Sequence, residues 1–322
     1  MLIIGVIVIL IIAVALRLAS NKKKINEKQK PVVASTLGIP ASVITLKKEV
    51  AELKARNGKT PHLAAVLVGN NPASEAYVGN KVRTCAELGY QSTLLRFDSS
   101  ITEDELLAQV RMLNDDNTVD GILVQLPLPK NISENAVINT IDPDKDVDGF
   151  HPISQGKMVL GQPTFLPATP YGILLMLKYY NLDLTGKHCV VVGRSNIVGT
   201  PMSVLLSRNS NPGNATVTLC HSKTKDLKSF TLQADVIVAA IGRPKFITAE
   251  MVKEGAVVID VGINRIEDKT KKSGSRLVGD VDFENVSSKC SYITPVPKGV
   301  GPMTICGLMK NTLEAAKRHS QA

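Results

Sequence analysis

The chain has 322 residues, 44% of them hydrophobic and 21% charged, which allows two domains with separate cores and excludes a disordered or repetitive protein. Its net charge of +9 is uneven, because six basic residues against one acidic residue lie between Arg17 and Lys30, which leaves +4 for the rest. That excess is too small to indicate nucleic-acid binding. The five cysteines lack the spacing of metal ligands or redox pairs, so we predict core side chains in a reducing compartment and no metal site.

An apolar stretch without charge occupies residues 1–16, and Arg17 and three lysines at 22–24 follow it. Extended to residue 19, it is long enough for a helix to span a bilayer core. Because the positive charge follows the apolar residues, the stretch differs from a secretory signal and would keep the body of the chain in the cytoplasm. We therefore predict membrane association through residues 1–19. The alternative is an artefact of the start site or a fused upstream sequence.

Strands and helices alternate through the first half of the body, after a linker predicted at about 20–40. The predicted elements are a helix at 42–58, a strand at 62–68, a helix at 73–88, a strand at 92–97, a helix at 102–114 and a strand at 121–125. This alternation, with short turns, indicates a mostly parallel sheet covered on both faces.

A segment punctuated by prolines, residues 164–171, is predicted to be a hinge before a second series of strands and helices. A helix at 172–180 precedes strands at 188–192, 216–220, 235–239 and 256–261, with a shorter strand near Tyr292. The last helix, at 302–317, is expected to pack back on the first domain, because its apolar face needs a surface.

A candidate dinucleotide site begins where the strand at 188–192 runs into the turn Gly193 to Pro201 and then a helix. Such a turn directs backbone N–H groups at a pyrophosphate, although Ser195 stands where the usual fingerprint has its middle glycine, and a plain turn remains the alternative. The next strand ends in Cys-His-Ser-Lys-Thr-Lys at 220–225, without an acid. Because Ser222 and Lys223, with Arg194, could receive a 2′-phosphate, we favour NADP, and NAD stays open.

Three further segments carry side chains that suit a ligand site at the ends of first-domain strands. Ser74, Tyr77 and Lys81 share one helix face, Gln125 ends the strand at 121–125, and Asp148 lies in an acidic turn. Each feature alone is more typical of a solvated helix face or a simple turn.

Together these segments resemble a known family over most of the body, from about Leu46 to Lys317: the bifunctional methylenetetrahydrofolate dehydrogenase/methenyltetrahydrofolate cyclohydrolases. The matching motifs are NPASEAYVGNK at 71–81, DGILVQLPLP at 120–129, PDKDVDGF at 143–150, LPATP at 166–170, GRSNIVGTP at 193–201, YITPVP at 292–297 and GVGPMT at 299–304. So many motifs in one order make the resemblance specific.

The resemblance implies an α/β fold of two domains, an N-terminal substrate domain with a mostly parallel sheet and a Rossmann-like dinucleotide-binding domain, with a cleft between them. We assign residues 31–170 plus 303–322 to the folate-binding domain and 171–302 to the NAD(P)-binding domain, and 1–30 to the apolar segment and basic linker. The implied reactions are NADP-dependent oxidation of 5,10-methylenetetrahydrofolate and hydrolysis of the methenyl product to 10-formyltetrahydrofolate. The implied partners are tetrahydrofolate derivatives and a second copy of the chain.

The resemblance also implies roles for particular residues. Lys81 would be central to methenyl hydrolysis with Gln125 hydrogen-bonded to it, Tyr77 would stack along the pterin, and Asp148 would hold the pterin ring. The implied substrate-binding residues are Ser74, Tyr77, Gln125, Leu126, Pro127, Asp148, Pro297, Gly299, Val300 and Gly301. The implied cofactor-binding residues are Thr169, Gly193, Arg194, Ser195, Val198, Gly199, Pro201, His221, Ser222, Lys223, Ile241, Gly242, Gly262, Ile263 and Thr304.

Two departures from the family pattern bear on these expectations. Residues 31–41 lack the Asp-Gly-Lys strand with which the family usually begins. The family usually has two glycines after the proline at 297, whereas this chain has Lys298 and Gly299. Lys298 is therefore either strained by a positive φ or free to meet the anionic tail of the substrate.

Two other functions compete with the folate enzyme. The presence of Lys81, Gln125 and Asp148 argues against another two-domain nicotinamide dehydrogenase of the shikimate or amino-acid type. The second competing function is a catalytically inactive, membrane-tethered dinucleotide-binding scaffold. The two departures from the family pattern are the only features that favour it.

Overall fold

The computed structural model describes residues 32–33, 38–271 and 274–321 of the chain. The predicted membrane anchor at 1–19 and most of the predicted linker lie outside the described residues. Within the described ranges, no helix is both long and apolar enough to cross a membrane.

The first domain is built on a small sheet of three parallel strands in the order β3-β2-β4. Its strands are β2 (His62–Val68), β3 (Gln91–Phe97) and β4 (Gly121–Val124). The helices of this half are α1 (Gly38–Asn57), α2 (Pro72–Leu88), α3 (Glu103–Asp115), α4 (Glu134–Thr140) and α5 (Pro152–Leu160). The strand β4 and all of β2 except its first residue are buried, as expected for parallel strands covered on both faces.

Helix α2 starts and ends at residues that the sequence marks clearly. The side chain of Asn71 accepts hydrogen bonds from the backbone N–H groups of Ala73 and Ser74, and Pro72 occupies the first turn. Gly89 ends the helix in the left-handed conformation. Because α2 begins four residues after β2 ends, its first turns lie at the carboxyl edge of the sheet.

The second domain contains a six-stranded parallel sheet in the order β1-β11-β8-β7-β5-β6. Its strands are β1 (Val32–Val33), β5 (His188–Val192), β6 (Thr216–Cys220), β7 (Val236–Ala239), β8 (Val257–Asp260) and β11 (Tyr292–Ile293). An antiparallel hairpin, β9 (Asn264–Glu267) and β10 (Ser275–Val278), stands apart from it. The helices are α6 (Ala168–Tyr179), α7 (Gly199–Ser207), α8 (Leu227–Thr231) and α9 (Phe283–Val286), with short 3₁₀ turns at Ala249–Met251 and Ser287–Lys289.

The last helix, α10 (Val300–His319), returns to the first domain and packs against α1, α2, α6 and the strands β2 and β4. The Tyr90 hydroxyl donates to the carbonyl of Met309, and the Asn311 amide donates to the carbonyls of Val147 and Leu166. Near its end, the His319 ring contacts the buried carboxylate of Asp120. The helix thus continues the core of the domain whose strands end some 180 residues earlier in the chain.

The predicted α/β fold with two mostly parallel sheets is confirmed, but several local predictions were wrong. Helix α6 begins at Ala168, inside the predicted hinge, because a proline within the first turn of a helix loses no backbone hydrogen bond. Strand β1 and the start of α1 fall inside the predicted linker. The prediction missed α4, α5 and the hairpin, which are too short or too polar to show a clear period.

Candidate functional site

The carboxyl edge of the first sheet brings together the amine, the amide and the carboxylate that the sequence singled out. The Lys81 ammonium donates to Gln125 Oε1 over 3.1 Å. The Gln125 amide nitrogen in turn donates to the carbonyl of Leu126 over 2.7 Å, which fixes the orientation of the amide. Asp148 is close enough for its charge to act on Lys81. These three side chains come from α2, from the end of β4 and from the turn that follows α4.

Burial shifts the proton equilibria of this group. Lys81 is only 6% exposed, and its loss of hydration lowers the pKa of its ammonium, while the negative charge of Asp148 opposes that shift. Burial also raises the pKa of Asp148, and the charge of Lys81 opposes it. An amine whose pKa is lowered in this way can lose its proton and act as a base.

A cavity of about 640 Å³ lies between the two halves of the molecule, and its lining includes Tyr77 of α2 but none of Lys81, Gln125 and Asp148. One wall is the exposed face of α2, which includes Tyr77, and the other consists of residues 260–265 and the segment 295–302. Tyr77, Pro297, Gly299, Val300 and Gly301 are the predicted substrate-binding residues in its lining, and Gly262 and Ile263 are the predicted cofactor-binding ones.

The other predicted substrate-binding residues are not part of the described cavity wall: Ser74, Gln125, Leu126, Pro127 and Asp148. Ser74 is buried in the first turn of α2, where its backbone N–H donates to the capping side chain of Asn71. The carbonyl of Leu126 holds the Gln125 amide. Of the four residues predicted to be catalytic, Tyr77 alone lines the cavity, and burial raises the pKa of its phenol, which keeps it neutral.

Lys298 has a φ of +90°, so this position does require the left-handed region that glycine favours. The lysine is therefore strained, and it also lines the cavity. The sequence left backbone strain and contact with the substrate as alternatives for Lys298. Both are possible together, because the strained backbone still directs the side chain to the cavity wall.

The turn after β5 leaves no room for side chains at two of its glycines. Gly193 has a φ of +119°, and a Cβ there would overlap the carbonyl of Ala240. A Cβ on Gly199 would overlap the carbonyl of Gly193. The Ser195 hydroxyl accepts from the N–H groups of Val198 and Gly199, which explains a serine in place of the middle glycine. This tight turn ahead of α7, whose N-terminus has no side-chain cap, fits the pyrophosphate of a dinucleotide.

The residues after β6 form a compact turn without a carboxylate. The His221 ring accepts from the backbone N–H of Lys223, and the backbone N–H of His221 donates to the Thr224 hydroxyl. Ser222 and Lys223 are exposed. A hydroxyl and an ammonium at this point fit a 2′-phosphate better than a bare ribose.

Two buried carboxylates that the sequence analysis missed hold the loops around the predicted cofactor site. Asp280 accepts from the N–H groups of Ile241 and Gly242 over 2.6 and 2.9 Å, and from the amide of Asn264. Asp260 accepts from the N–H groups of Gly262, Asp280 and Val281. The Gly-Asp-Val-Asp sequence at 279–282 was the available signal, since acids beside a glycine often bind backbone N–H groups.

The remaining predicted cofactor-binding residues lie around this turn and at the junction of the two domains. Val198 and Pro201 are buried at the start of α7, and Arg194 is exposed in the preceding turn. The hydroxyls of Thr169 on α6 and Thr304 on α10 are 3.0 Å apart. No group of side chains that could hold a metal ion occurs in the described ranges.

Comparison with known proteins assigns both halves of the chain to one family. Residues 41–148 match the catalytic domain of the tetrahydrofolate dehydrogenase/cyclohydrolase family, and residues 167–320 match the NAD(P)-binding domain of that family. The bifunctional protein FolD of Cytophaga hutchinsonii is 61% identical over 271 residues, which cover 84% of this chain and 93% of the relative. The bifunctional protein FolD of Bacteroides fragilis is 61% identical over 270 residues, which cover 84% of this chain and 92% of the relative.

Solved structures show the same fold. The FolD methylenetetrahydrofolate dehydrogenase/cyclohydrolase of Campylobacter jejuni is 49% identical with a TM-score of 0.81, over 87% of this chain and 97% of that one. The Trypanosoma brucei enzyme, solved with NADP and an inhibitor, is 36% identical with a TM-score of 0.85, over 91% of this chain and 99% of that one. The chain therefore belongs to the tetrahydrofolate dehydrogenase/cyclohydrolase family and carries both its catalytic and its NAD(P)-binding domain.

Proposed function

We propose that the chain oxidises 5,10-methylenetetrahydrofolate with NADP and then hydrolyses the 5,10-methenyl product to 10-formyltetrahydrofolate. The hydrogen bond between Lys81 and Gln125, with the charge of Asp148 acting on Lys81, carries this proposal. Tyr77, four residues before Lys81 on α2, lines the interdomain cavity. A catalytically inactive scaffold would give no reason for a buried amine held by a half-buried amide, because an amine is costly to bury.

For the dehydrogenase step, the chain has to hold two ligands at a fixed separation. Bound NADP supplies the hydride acceptor. The turn from Gly193 to Gly199 would hold its pyrophosphate, and Ser195 can still donate its hydroxyl proton, because the observed bonds use its oxygen only as acceptor. Arg194, Ser222 and Lys223 would bind the 2′-phosphate. Fixed orientation across the cleft is then the main catalytic contribution of the protein.

The remaining predicted cofactor contacts would complete this half of the site. They are Thr169, Val198, Pro201, His221, Ile241, Gly242, Gly262, Ile263 and Thr304. The carboxylates of Asp280 and Asp260 would act indirectly, by fixing the backbone at 241–242 and at 262.

For the hydrolysis step, Lys81 would act as the base. Water adds to the methenyl carbon, the C=N π electrons return to nitrogen, and one proton of the water passes to the neutral amine of Lys81. The bond from this carbon to N5 then breaks as the new hydroxyl loses its proton and N5 gains one, which leaves the formyl group on N10. The cationic methenyl group disfavours a second positive charge beside it, so substrate binding would lower the pKa of Lys81 further. Gln125 holds the amine in place, Tyr77 would stack on the pterin, and Asp148 would accept hydrogen bonds from the polar edge of the ring.

The Lys81→Met variant tests the proposed base. We expect its cyclohydrolase rate to fall by about 100-fold or more, while NADP binding measured by calorimetry stays unchanged. Lys130→Met, at an exposed lysine outside the site, is the matched control. Hydrolysis by the Lys81 variant at a near wild-type rate would remove Lys81 from the mechanism.

Cofactor preference is tested at the turn after β6. A carboxylate at position 223 would repel a 2′-phosphate, so we expect Lys223→Asp to reduce kcat/KM for NADP by about tenfold or more, with little effect on NAD. An equal loss with both cofactors would show that Lys223 does not contact the phosphate.

We also propose a homodimer, a cytoplasmic location of the body, and the domain boundaries 31–170 plus 303–322 and 171–302. Strand β1 is an exception to these boundaries, because it pairs with β11 in the second sheet. The return of α10 to the first sheet supports the discontinuous first domain. Light scattering on the purified chain measures its oligomeric state. Membrane association through residues 1–19 is tested by fractionating cells that express the chain with and without these residues. Recovery of both forms in the soluble fraction would exclude the anchor.

A further inference from the structure

The carboxylate of Asp280 joins two segments that the proposed function assigns to different ligands. The residue is fully buried, and each carboxylate oxygen binds a different segment. Oδ2 accepts from the backbone N–H groups of Ile241 and Gly242 over 2.6 and 2.9 Å. Oδ1 accepts from the side-chain amide of Asn264 over 2.9 Å. One rigid group thus links the loop after β7 to the start of the hairpin strand β9.

The loop after β7 lies at the proposed cofactor site. Strands β5 and β7 are neighbours in the sheet, and the carbonyl of Ala240 is so close to Gly193 that a Cβ on the glycine would overlap it. A dinucleotide held by the turn at Gly193 would therefore pass the loop at 241–242. Because Asp280 binds both N–H groups of this loop, the carboxylate determines the shape that the loop presents to the cofactor.

The second segment belongs to the wall of the interdomain cavity. Asn264 is half-buried and stands between Ile263 and Arg265, which both line the cavity. The wall packs directly on the carboxylate, because a Cβ on Gly262 would overlap it. Asn264 also begins β9, which pairs with the strand that carries Leu277, another residue of the lining. A shift of Asn264 would therefore move the apolar surface that meets the folate.

The backbone of Asp280 is fixed independently of these side-chain bonds. Its N–H donates to the carboxylate of Asp260 over 2.8 Å, and its carbonyl accepts from the N–H of Ile247 over 2.9 Å. Because the main chain at residue 280 is held on both sides, the carboxylate can only turn about a fixed point. A displacement of one set of donors then has to be followed by the other set.

We infer that Asp280 and Asn264 are positioning residues that couple the two ligand sites, so that bound NADP raises the affinity for the folate and the folate raises the affinity for NADP by the same factor. This inference rests on the proposed function, because it places NADP beside 241–242 and the folate in the cavity. A ligand that orders one segment also orders the shared carboxylate. The second ligand then binds a segment that has already lost its freedom.

The test measures the binding of tetrahydrofolate by calorimetry, with and without saturating NADP. Tetrahydrofolate has no one-carbon bridge, so it is not oxidised. We expect NADP to lower its Kd about tenfold in the wild type. Asn264→Ala removes the bond to the cavity wall and keeps both bonds to the loop, so this factor should fall to about threefold or less, while the Kd of NADP alone changes by less than about twofold.

The dehydrogenase assay gives a second measurement on the same variant. At saturating NADP, Asn264→Ala should raise the KM for methylenetetrahydrofolate by about the factor that the coupling loses, with a smaller change in kcat. Asn285→Ala is the matched control, because the Asn285 amide also donates to a carboxylate, that of Asp282, but lies outside both segments. The control should keep the wild-type factor. Thermal unfolding without ligands verifies that both variants are folded.

Three results would overturn the inference: no effect of NADP on the Kd of tetrahydrofolate in the wild type, a wild-type factor in Asn264→Ala, or a loss of NADP affinity in that variant as large as its loss of coupling. The last result would mean that Asn264 only supports the cofactor loop. Dehydrogenase activity of the wild type reports on the proposed function separately. Absence of that activity would refute the proposed function, whereas a coupling factor of one would refute only the link through Asp280.

Discussion

Lys298 combines a strained backbone conformation with a charged side chain that lines the cavity. Glycine at this position would relieve the strain but would add freedom to the unfolded chain, and the first effect is the larger. We expect Lys298→Gly to raise the free energy of unfolding by about 1 kcal/mol, measured by urea denaturation. Lys130→Gly is the control, because Lys130 has no positive φ, and it should lower stability or leave it unchanged. A loss of stability in Lys298→Gly would mean that the lysine side chain stabilises the loop.

The raised pKa of Asp260 predicts that the stability of the fold depends on pH. Burial and the neighbouring charge of Asp280 raise the pKa of Asp260 to about 7, although three backbone N–H groups favour its charged form. The folded protein therefore holds this proton more tightly than the unfolded chain does. This contribution to stability is present at low pH and is lost as the pH rises from about 4 through 7.

Comparing the wild type with Asp260→Asn isolates that dependence. The difference in the free energy of unfolding between the two proteins should vary with pH from 5 to 8, with the wild type losing relative stability as pH rises. A constant difference over that range would contradict a raised pKa at Asp260.

The site residues that sequence could suggest are those with distinctive chemistry in recurring motifs. Lys81, Gln125 and Asp148 were found because an amine, an amide and an acid occur in motifs that resemble one family. Asp280 was missed because its role depends on a turn at 241–242, which lies 38 or more residues away in the chain. For Lys298, the sequence left a strained positive φ and a contact with the substrate as two alternatives, because a sequence does not fix the backbone angle of a non-glycine residue.

Helix α3 ends against a buried lysine. The Lys145 ammonium donates to the carbonyls of Leu113, Asn114 and Asp116, which lie at the C-terminus of the helix and have no partner within it. A positive charge at this end also suits the helix dipole, although burial lowers the pKa of Lys145. The acidic motif at 143–150 thus stabilises a neighbouring helix as well as supplying Asp148.

We expect Lys145→Met to lower the free energy of unfolding by about 2–3 kcal/mol, because it leaves buried carbonyls without donors. Urea denaturation measures the effect. Lys47→Met, at an exposed lysine of α1, should change stability by less than about 0.5 kcal/mol. Equal stability of the two variants would show that water replaces the lysine at the end of α3.

At this scale the buried strands were predictable and the short polar elements were not. The apolar run of β2, between a proline and a glycine, has the length and composition of a buried parallel strand. Helix α4 has seven residues, so it spans too few turns to show a helical period. The hairpin β9–β10 alternates weakly because much of it is exposed.

The two domains of this dehydrogenase/cyclohydrolase are joined where α6 meets α10. A Cβ on Gly172 would overlap the carbonyl of Met303, and a Cβ on Gly307 would overlap the carbonyl of Ala168. The hydrogen bond between Thr169 and Thr304 lies at the same contact. The relative position of the two predicted cofactor-binding threonines therefore depends on two residues without side chains.

We expect Gly307→Ala to separate the helices, to lower the free energy of unfolding by about 2 kcal/mol and to reduce the dehydrogenase kcat. Gly156→Ala on α5 is the matched control, because nothing lies within 4 Å of the added Cβ, and alanine there should preserve or raise stability. Thermal unfolding and the dehydrogenase assay measure both variants. A Gly307 variant with wild-type kcat would show that the cleft tolerates a shift of α10.

The position of α10 after the dinucleotide-binding sheet also matters during protein synthesis. The strands β2, β3 and β4 leave the ribosome early, yet the helix that covers them follows only after the whole dinucleotide-binding sheet has been translated. Domains generally fold from the N-terminus as they emerge, so part of the apolar surface of the first sheet stays uncovered until α10 has been synthesised. A nascent chain arrested before residue 300 would therefore leave that surface exposed and would depend on chaperones to avoid aggregation.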